Sequence, residues 1–140
     1  MLNSESKLQA NCVIEFSHKY PDKKGCLIGY FATSDSYIQA SQKLSLGLVK
    51  GCSDLLYVNN GDLIGIEIKA KGTGHNRIHI MEQALWLMRV PRFGYFCDSL
   101  SMFHRIINGG RGIDPKPIFD YCDKLITQSV QWDTIREMGL

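Results

Sequence analysis

The chain has 140 residues, 44% of them hydrophobic and 21% charged, with a formal net charge of +2 at pH 7. That length and apolar content suit one domain with a core of its own, and the composition excludes intrinsic disorder and a uniformly basic nucleic-acid-binding surface. The five cysteines (Cys12, Cys26, Cys52, Cys97 and Cys122) form no Cys-x-x-Cys pair, which excludes the usual zinc frameworks and reads as reduced thiols.

At the N-terminus, MLNSESKLQANC lacks a basic segment followed by an apolar run, and no apolar stretch reaches the ~20 residues that cross a bilayer. A soluble, cytoplasmic protein is the expectation. Ser4 is the expected cap of a helix from about Glu5 to Tyr20, with Leu8, Cys12 and Phe16 on one face and Pro21 as its stop. The aromatic and apolar run Leu27 to Thr33 reads as a strand, and Ser36 to Leu46 has Tyr37, Ala40 and Leu44 at helical spacing before Gly47.

The strongest local signal follows. Asp54 to Val58, then Asn59-Asn60-Gly61-Asp62, then Leu63 to Lys69, is a β-hairpin around an Asn-Gly turn. A polar, Gly-rich loop spans Ala70 to Asn76, and a buried helix is expected from about His79 to Arg89, ended by Val90-Pro91. Phe93 to Cys97 reads as a short strand. Ser99 then caps a helix with Met102, Phe103, Ile106 and Ile107 on one stripe, terminated by Gly109-Gly110, and the tail from Pro115 is expected to be helical. Strands separated by helices, with no repeat or linker, imply a single α/β domain with a mixed β-sheet flanked by helices.

With Asn60-Gly61 as the central turn residues, Asn59 pairs with Asp62, Val58 with Leu63, and Asp54 comes to lie directly opposite Glu67. Like charges so placed repel unless a cation sits between them. Alternation puts Lys69 on the side of Glu67, with Ile66 and Ile68 on the other. Carboxylate oxygens suit Mg²⁺ or Mn²⁺, and with an ammonium group nearby the set is suited to phosphodiester hydrolysis. The simpler alternative is a strand cap at Asp54 and a solvated ion pair between Glu67 and Lys69.

Asp54 followed by Glu67-Ile68-Lys69 resembles the signature of the PD-(D/E)XK nuclease superfamily, and within it the VRR-NUC domains. Members of that family have a helix opening Glu-x-x-x-Gln, a Gly-x-Pro-Asp turn into a strand, a Glu-x-Lys strand, a Gln-bearing helix, and a short strand followed by a helix. Glu5-Ser6-Lys7-Leu8-Gln9, Gly51-Cys52-Ser53-Asp54, Glu67-Ile68-Lys69, Gln83, and the stretch from Gly94 to Asn108 supply these elements in order. The likeness covers about Glu5 to Asn108. Ser53 departs from it, standing where the family usually has a proline that rigidifies the turn.

The resemblance implies a restriction-endonuclease-like core with Mg²⁺ or Mn²⁺ held by Asp54, Glu67, the Ile68 backbone carbonyl and Glu5. It assigns Lys69 to the nucleophile and transition state, and Gln83 to support of the centre. The activity implied is hydrolysis of DNA, with branched forms such as four-way junctions as candidate substrates, by a homodimer. Ile118, Tyr121, Cys122, Leu125 and Ile126 recur at helical spacing in the tail as interface material, with packing on their own domain as the alternative. A catalytically inactive DNA-binding or regulatory module with the same fold is the rival reading, against which the joint presence of Asp54, Glu67 and Lys69 argues.

The accessory residues have competing explanations. Glu5 is favoured in a first helical turn by the helix dipole alone, although it shares the face of Leu8, Cys12 and Phe16. Gln83 has a surface role as its alternative. Lys71 and Arg77, with His75 and His79, are placed to contact DNA phosphates or simply to be solvated. Gly72-Thr73-Gly74 invites a dinucleotide-binding reading, which fails because Arg77 occupies the place of the third glycine. His18 and His104 have no ligand partner at metal-binding spacing and read as surface or packing histidines, and Trp86 and Trp132 as core or interface aromatics.

Overall fold

The computed structural model describes residues 3–30, 51–69 and 77–110, together with positions 42, 46 and 49. Helix α1 spans Ser4–Lys19. Its cap is Asn3 rather than Ser4: the Asn3 side chain accepts from the Ser6 N–H at 2.8 Å, so Ser4 becomes the first helical residue. The Tyr20 N–H donates to Phe16 O as the helix closes, and Pro21 opens a 3-10 turn over Pro21–Lys23.

Strand β1 is Leu27–Gly29, shorter than the expected run to Thr33. Tyr30 is no longer in the strand, but its N–H still donates to Asp54 O at 2.9 Å. Residues 31–33 and, apart from positions 42 and 46, the helix expected from Ser36 to Leu46 lie outside the described residues. Strands β2 (Leu55–Asn59) and β3 (Asp62–Ile68) form the expected hairpin, with Asn59 opposite Asp62 and Val58 opposite Leu63. Asn60 and Gly61 both have positive φ, 50° and 86°, the primed-turn geometry that matches strand twist.

Helix α2, Arg77–Arg89, starts two residues ahead of the expected His79. Strand β4 is Phe93–Cys97, parallel to β3, and helix α3 is Leu100–Ile107 with the Ser99 hydroxyl accepting from the Met102 N–H. Gly109 and Gly110, with φ of 101° and 65°, follow its end. The strand order is β1-β2-β3-β4, antiparallel except for the last pair, so the fold is α/β with a mixed sheet. The expected helical tail lies outside the described residues.

Strand alternation divides the sheet into two unlike faces. Leu55, Tyr57, Ile64, Ile66, Ile68, Tyr95 and Cys97 join Cys12 and Phe16 of α1 and Phe103, Ile106 and Ile107 of α3 in one core. Phe16 meets Tyr57 and Phe103 edge to face, at 5.9 and 6.5 Å between ring centroids. The other face receives α2. There Gly65 and Gly94 are cross-strand partners, and a Cβ at Gly94 would lie 2.5 Å from Leu87 O, so only glycine lets the helix settle so close. Trp86 is buried beside them, as a core aromatic. Among the described residues no helix is long and apolar enough to cross a membrane.

Candidate active site

The hairpin register sets the first two groups. Leu55 faces Ile66, so one step outward Asp54 faces Glu67. The two carboxylates also staple the strands crosswise, since Asp54 Oδ2 accepts from the Ile68 N–H at 2.9 Å and Glu67 Oε2 accepts from the Asp54 N–H at 3.2 Å. Asp54 precedes β2 and Lys69 follows β3, so each expected strand end lies one residue outside the observed strand. Lys69 is still held: its N–H donates to Cys97 O at 2.9 Å at the end of β4.

Glu67 is 2% exposed and Lys69 7%, with Lys69 Nζ at 3.8 Å from Glu67 Oε1. A solvated surface pair is therefore ruled out. From α2, the half-buried Gln83 donates through Nε2 to the same Glu67 oxygen at 2.8 Å, so it reaches the site rather than standing as a plain surface residue. Sheet and helix together bring Asp54, Glu67, Lys69 and Gln83 to one place.

Burial pushes the Glu67 carboxyl up to about 9, and the Asp54 charge adds to this, with a hydrogen bond between the two side chains favouring the protonated form; Lys69 opposes the rise. Burial, then the charges of Glu67 and Asp54, also push the nearby Cys52 thiol up to about 11. At neutral pH, with no cation present, the carboxylate pair accordingly retains a proton.

A divalent cation could take that proton's place. The oxygens brought together are hard donors, the Asp54 and Glu67 carboxylates, which suit Mg²⁺ or Mn²⁺. Gln83 Oε1 is buried with no hydrogen-bond partner, and a water molecule of a hydrated ion is a donor of the kind it lacks. The site therefore fits such an ion. Glu5 lies half-buried in the first turn of α1. Among the described residues no three His, Cys, Asp or Glu side chains form a group able to hold an ion, so Glu5 does not complete one with Asp54 and Glu67. Lys71 and His75 lie outside the described residues; Arg77 opens α2, and its side chain and that of His79 are likewise outside.

Several contributors escape a residue-by-residue reading. Gly51 has φ of 79°, and a Cβ there would lie 2.6 Å from Glu82 O, so this glycine lets the loop before Asp54 press on the α2 backbone next to Gln83. Its place in the Gly-x-x-Asp run was the available signal. Ser53 is fully buried and donates through its hydroxyl to Leu55 O at 2.9 Å, which braces the turn before β2. The Cys97 carbonyl and the Tyr30 N–H act through the backbone and leave no mark in residue type.

Away from this site, His104 is the packing histidine expected. Its Nδ1 lies 3.1 Å from the Tyr20 hydroxyl and its Nε2 3.4 Å from Glu15 Oε2, a contact between α1 and α3. Comparison of the chain with protein-family models, with curated proteins and with solved structures finds no match.

Proposed function

We propose that the chain is a metal-dependent DNA phosphodiesterase with a restriction-endonuclease-like core of the VRR-NUC kind. The observation that carries this reading is the Asp54–Glu67 pair held face to face across the hairpin, its Glu67 buried and flanked by Lys69 and by the unpaired carbonyl of Gln83. Two opposed carboxylates in a buried setting are costly in the absence of a cation, and structural ion pairs do not need that arrangement.

Asp54, Glu67 and the Ile68 carbonyl are the groups that would hold Mg²⁺ or Mn²⁺, with Glu5 as the further carboxylate the family resemblance assigns. Such an ion, when bound, supplies Lewis acidity toward a phosphate and makes a water more acidic. Gln83 fixes the Glu67 carboxylate in one orientation and offers Oε1 to a water proton. The Lys69 ammonium, anchored through its backbone to β4, is the positive group available to a phosphate oxygen as negative charge builds. Lys71 and Arg77 are assigned to the DNA backbone, and a homodimer would set two such sites for a two-fold substrate such as a four-way junction.

The test is incubation of the purified chain with linear and branched DNAs in Mg²⁺, in Mn²⁺ and in chelator. Cleavage that needs the ion and is lost in Asp54→Ala and Glu67→Ala is the expected result. Binding without cleavage under every condition would replace the enzyme with the non-catalytic DNA-binding module. Sedimentation with and without a junction tests the dimer, and a monomer in both would remove it.

A further inference from the structure

The chain holds two Asn-Gly pairs, Asn60-Gly61 at the tip of the β2–β3 hairpin and Asn108-Gly109 after α3. Both are exposed, and a Cβ on either glycine would meet nothing within 4 Å, so steric room does not separate them. Hydrogen bonding does. Asn108 Nδ2 donates to His104 O at 2.7 Å and to the Tyr20 hydroxyl at 3.2 Å, and the Gly109 N–H donates to Ile106 O at 3.2 Å. Among the described residues, the Asn60 side chain and the Gly61 N–H make no such bond.

These atoms decide the chemistry of an Asn-Gly pair. The backbone nitrogen that follows the asparagine can attack its side-chain carbonyl carbon, and glycine places no side chain in the way. The attacking N–H must first be released from any acceptor, and the amide must be free to turn its carbon toward it. At Asn108 the bonds to His104 O, the Tyr20 hydroxyl and Ile106 O oppose both movements, which slows the reaction there by about tenfold or more. At Asn60 only the backbone geometry of the turn has to yield, and exposed loop tips open at little cost.

We infer that Asn60 is a site of spontaneous deamidation in the folded protein and that Asn108 is protected from it. The Gly61 nitrogen gives its proton to a base and bonds to Asn60 Cγ. The Cγ–Nδ2 bond breaks, the amide nitrogen leaves with a proton as ammonia, and a succinimide ring closes. Water then opens the ring at one of its two carbonyls. Attack at Cγ leaves the main chain as it was, with an aspartate side chain, whereas attack at the main-chain carbonyl routes the chain through Cγ as isoaspartate. One water enters, one ammonia leaves, and nothing is oxidised or reduced. The products differ in consequence. Aspartate keeps an Asp-Gly turn, which a two-residue hairpin loop accepts. Isoaspartate puts an extra carbon into the loop that sets Asn59 against Asp62 and, further along, Asp54 against Glu67.

The experiment holds the full chain in mildly alkaline buffer for several weeks, with a parallel sample in enough urea to unfold it, and follows tryptic peptides by mass and chromatography. Asn60 lies in peptide 51–69 and Asn108 in peptide 106–111. In the folded chain the expected result is an amide-to-acid mass change in 51–69, assigned to Asn60 by fragmentation and resolved into aspartate and isoaspartate forms. Its rate should exceed that of 106–111 by about tenfold or more. In urea, where the bonds to Asn108 and Gly109 are gone, the two rates should converge. The inference is overturned if Asn60 keeps its amide in the folded chain, or if 106–111 changes there as fast as 51–69. It is equally overturned if the change in 51–69 falls on Asn59, or if the two rates differ as much in urea as in the folded chain.

Discussion

Replacing Glu67 by glutamine isolates the energetic tension in the carboxylate pair. Glu67 has its pKa raised from 4.5 to about 9 by burial, with the Asp54 charge next. A group raised in the folded state makes that state bind more protons than the unfolded chain, so its stabilisation is complete below pH 4.5 and is lost as pH climbs toward 9. Within that window the slope is about −1.4 kcal/mol per pH unit from this one group, about 4 °C in Tm for a domain of this size. Across the window the sum has a ceiling of about 6 kcal/mol, a large share of a small domain's total stability.

Glutamine at position 67 keeps the acceptor for Gln83 in its oxygen and places a nitrogen that can donate to the Asp54 carboxylate, but it loses the bond that Glu67 Oε2 accepts from the Asp54 N–H. In chelator, Glu67→Gln should therefore fall about 1 kcal/mol below wild type near pH 5 for the lost Asp54 N–H bond, exceed it at pH 8, and lose most of the slope. Urea titrations at half-unit pH steps measure this directly. A variant with the same pH slope as wild type would refute the claim that the buried pair carries the proton.

Other expectations rest on different parts of the molecule. At a Mg²⁺ concentration one hundred times Kd, wild type should gain about 2.7 kcal/mol in stability and Asp54→Asn much less; equal gains in thermal melts would remove Asp54 from the metal site. Phe103→Ala empties the fully buried junction of α1, α3 and the sheet and should cost about 3–5 kcal/mol in urea unfolding, with a value under about 1 contradicting the packing. Gly94→Ala drives a methyl group against Leu87 O and should cost about 1–3 kcal/mol, whereas a neutral outcome would mean that α2 does not sit so close to the sheet.

What the sequence made legible was the local structure. The Asn60-Gly61 turn fixes the hairpin register by itself, and from that register follows the juxtaposition of Asp54 and Glu67, thirteen residues apart. The helix of Ser99 and the strand at Phe93–Cys97 were equally clear, because cap and pattern lie within a few residues of each other. The first helix was placed within one residue, the miss arising because Asn3 and Ser4 are both good caps and only geometry chooses between them.

The burial of Glu67 and Lys69 was not legible, since alternation assigns a face but cannot tell whether a helix covers it. That cover depends on α2 descending onto Gly65 and Gly94, a contact written in two glycines that otherwise look like weak points in strands. The Gln83 contact is hidden for the same reason, as it joins an α2 side chain to a strand sixteen residues earlier. The contact of Glu15 with His104 likewise depends on how α1 lies against α3.

The hairpin turn has a further consequence for how this protein can vary. Glu67 stands six residues from Gly61, about 20 Å along the strand, yet the turn determines which way its side chain points. A slip of a single residue would carry the carboxylate into the apolar side now filled by Ile66 and Ile68, and would bring Ile68 round to face Gln83. The stretch from 54 to 67 therefore works as a ruler, whose far end is calibrated by a two-residue bend. Loop insertions that leave the strand pairing intact can be tolerated there, whereas one unmatched residue within either strand would dismantle the carboxylate pair without touching either of its members.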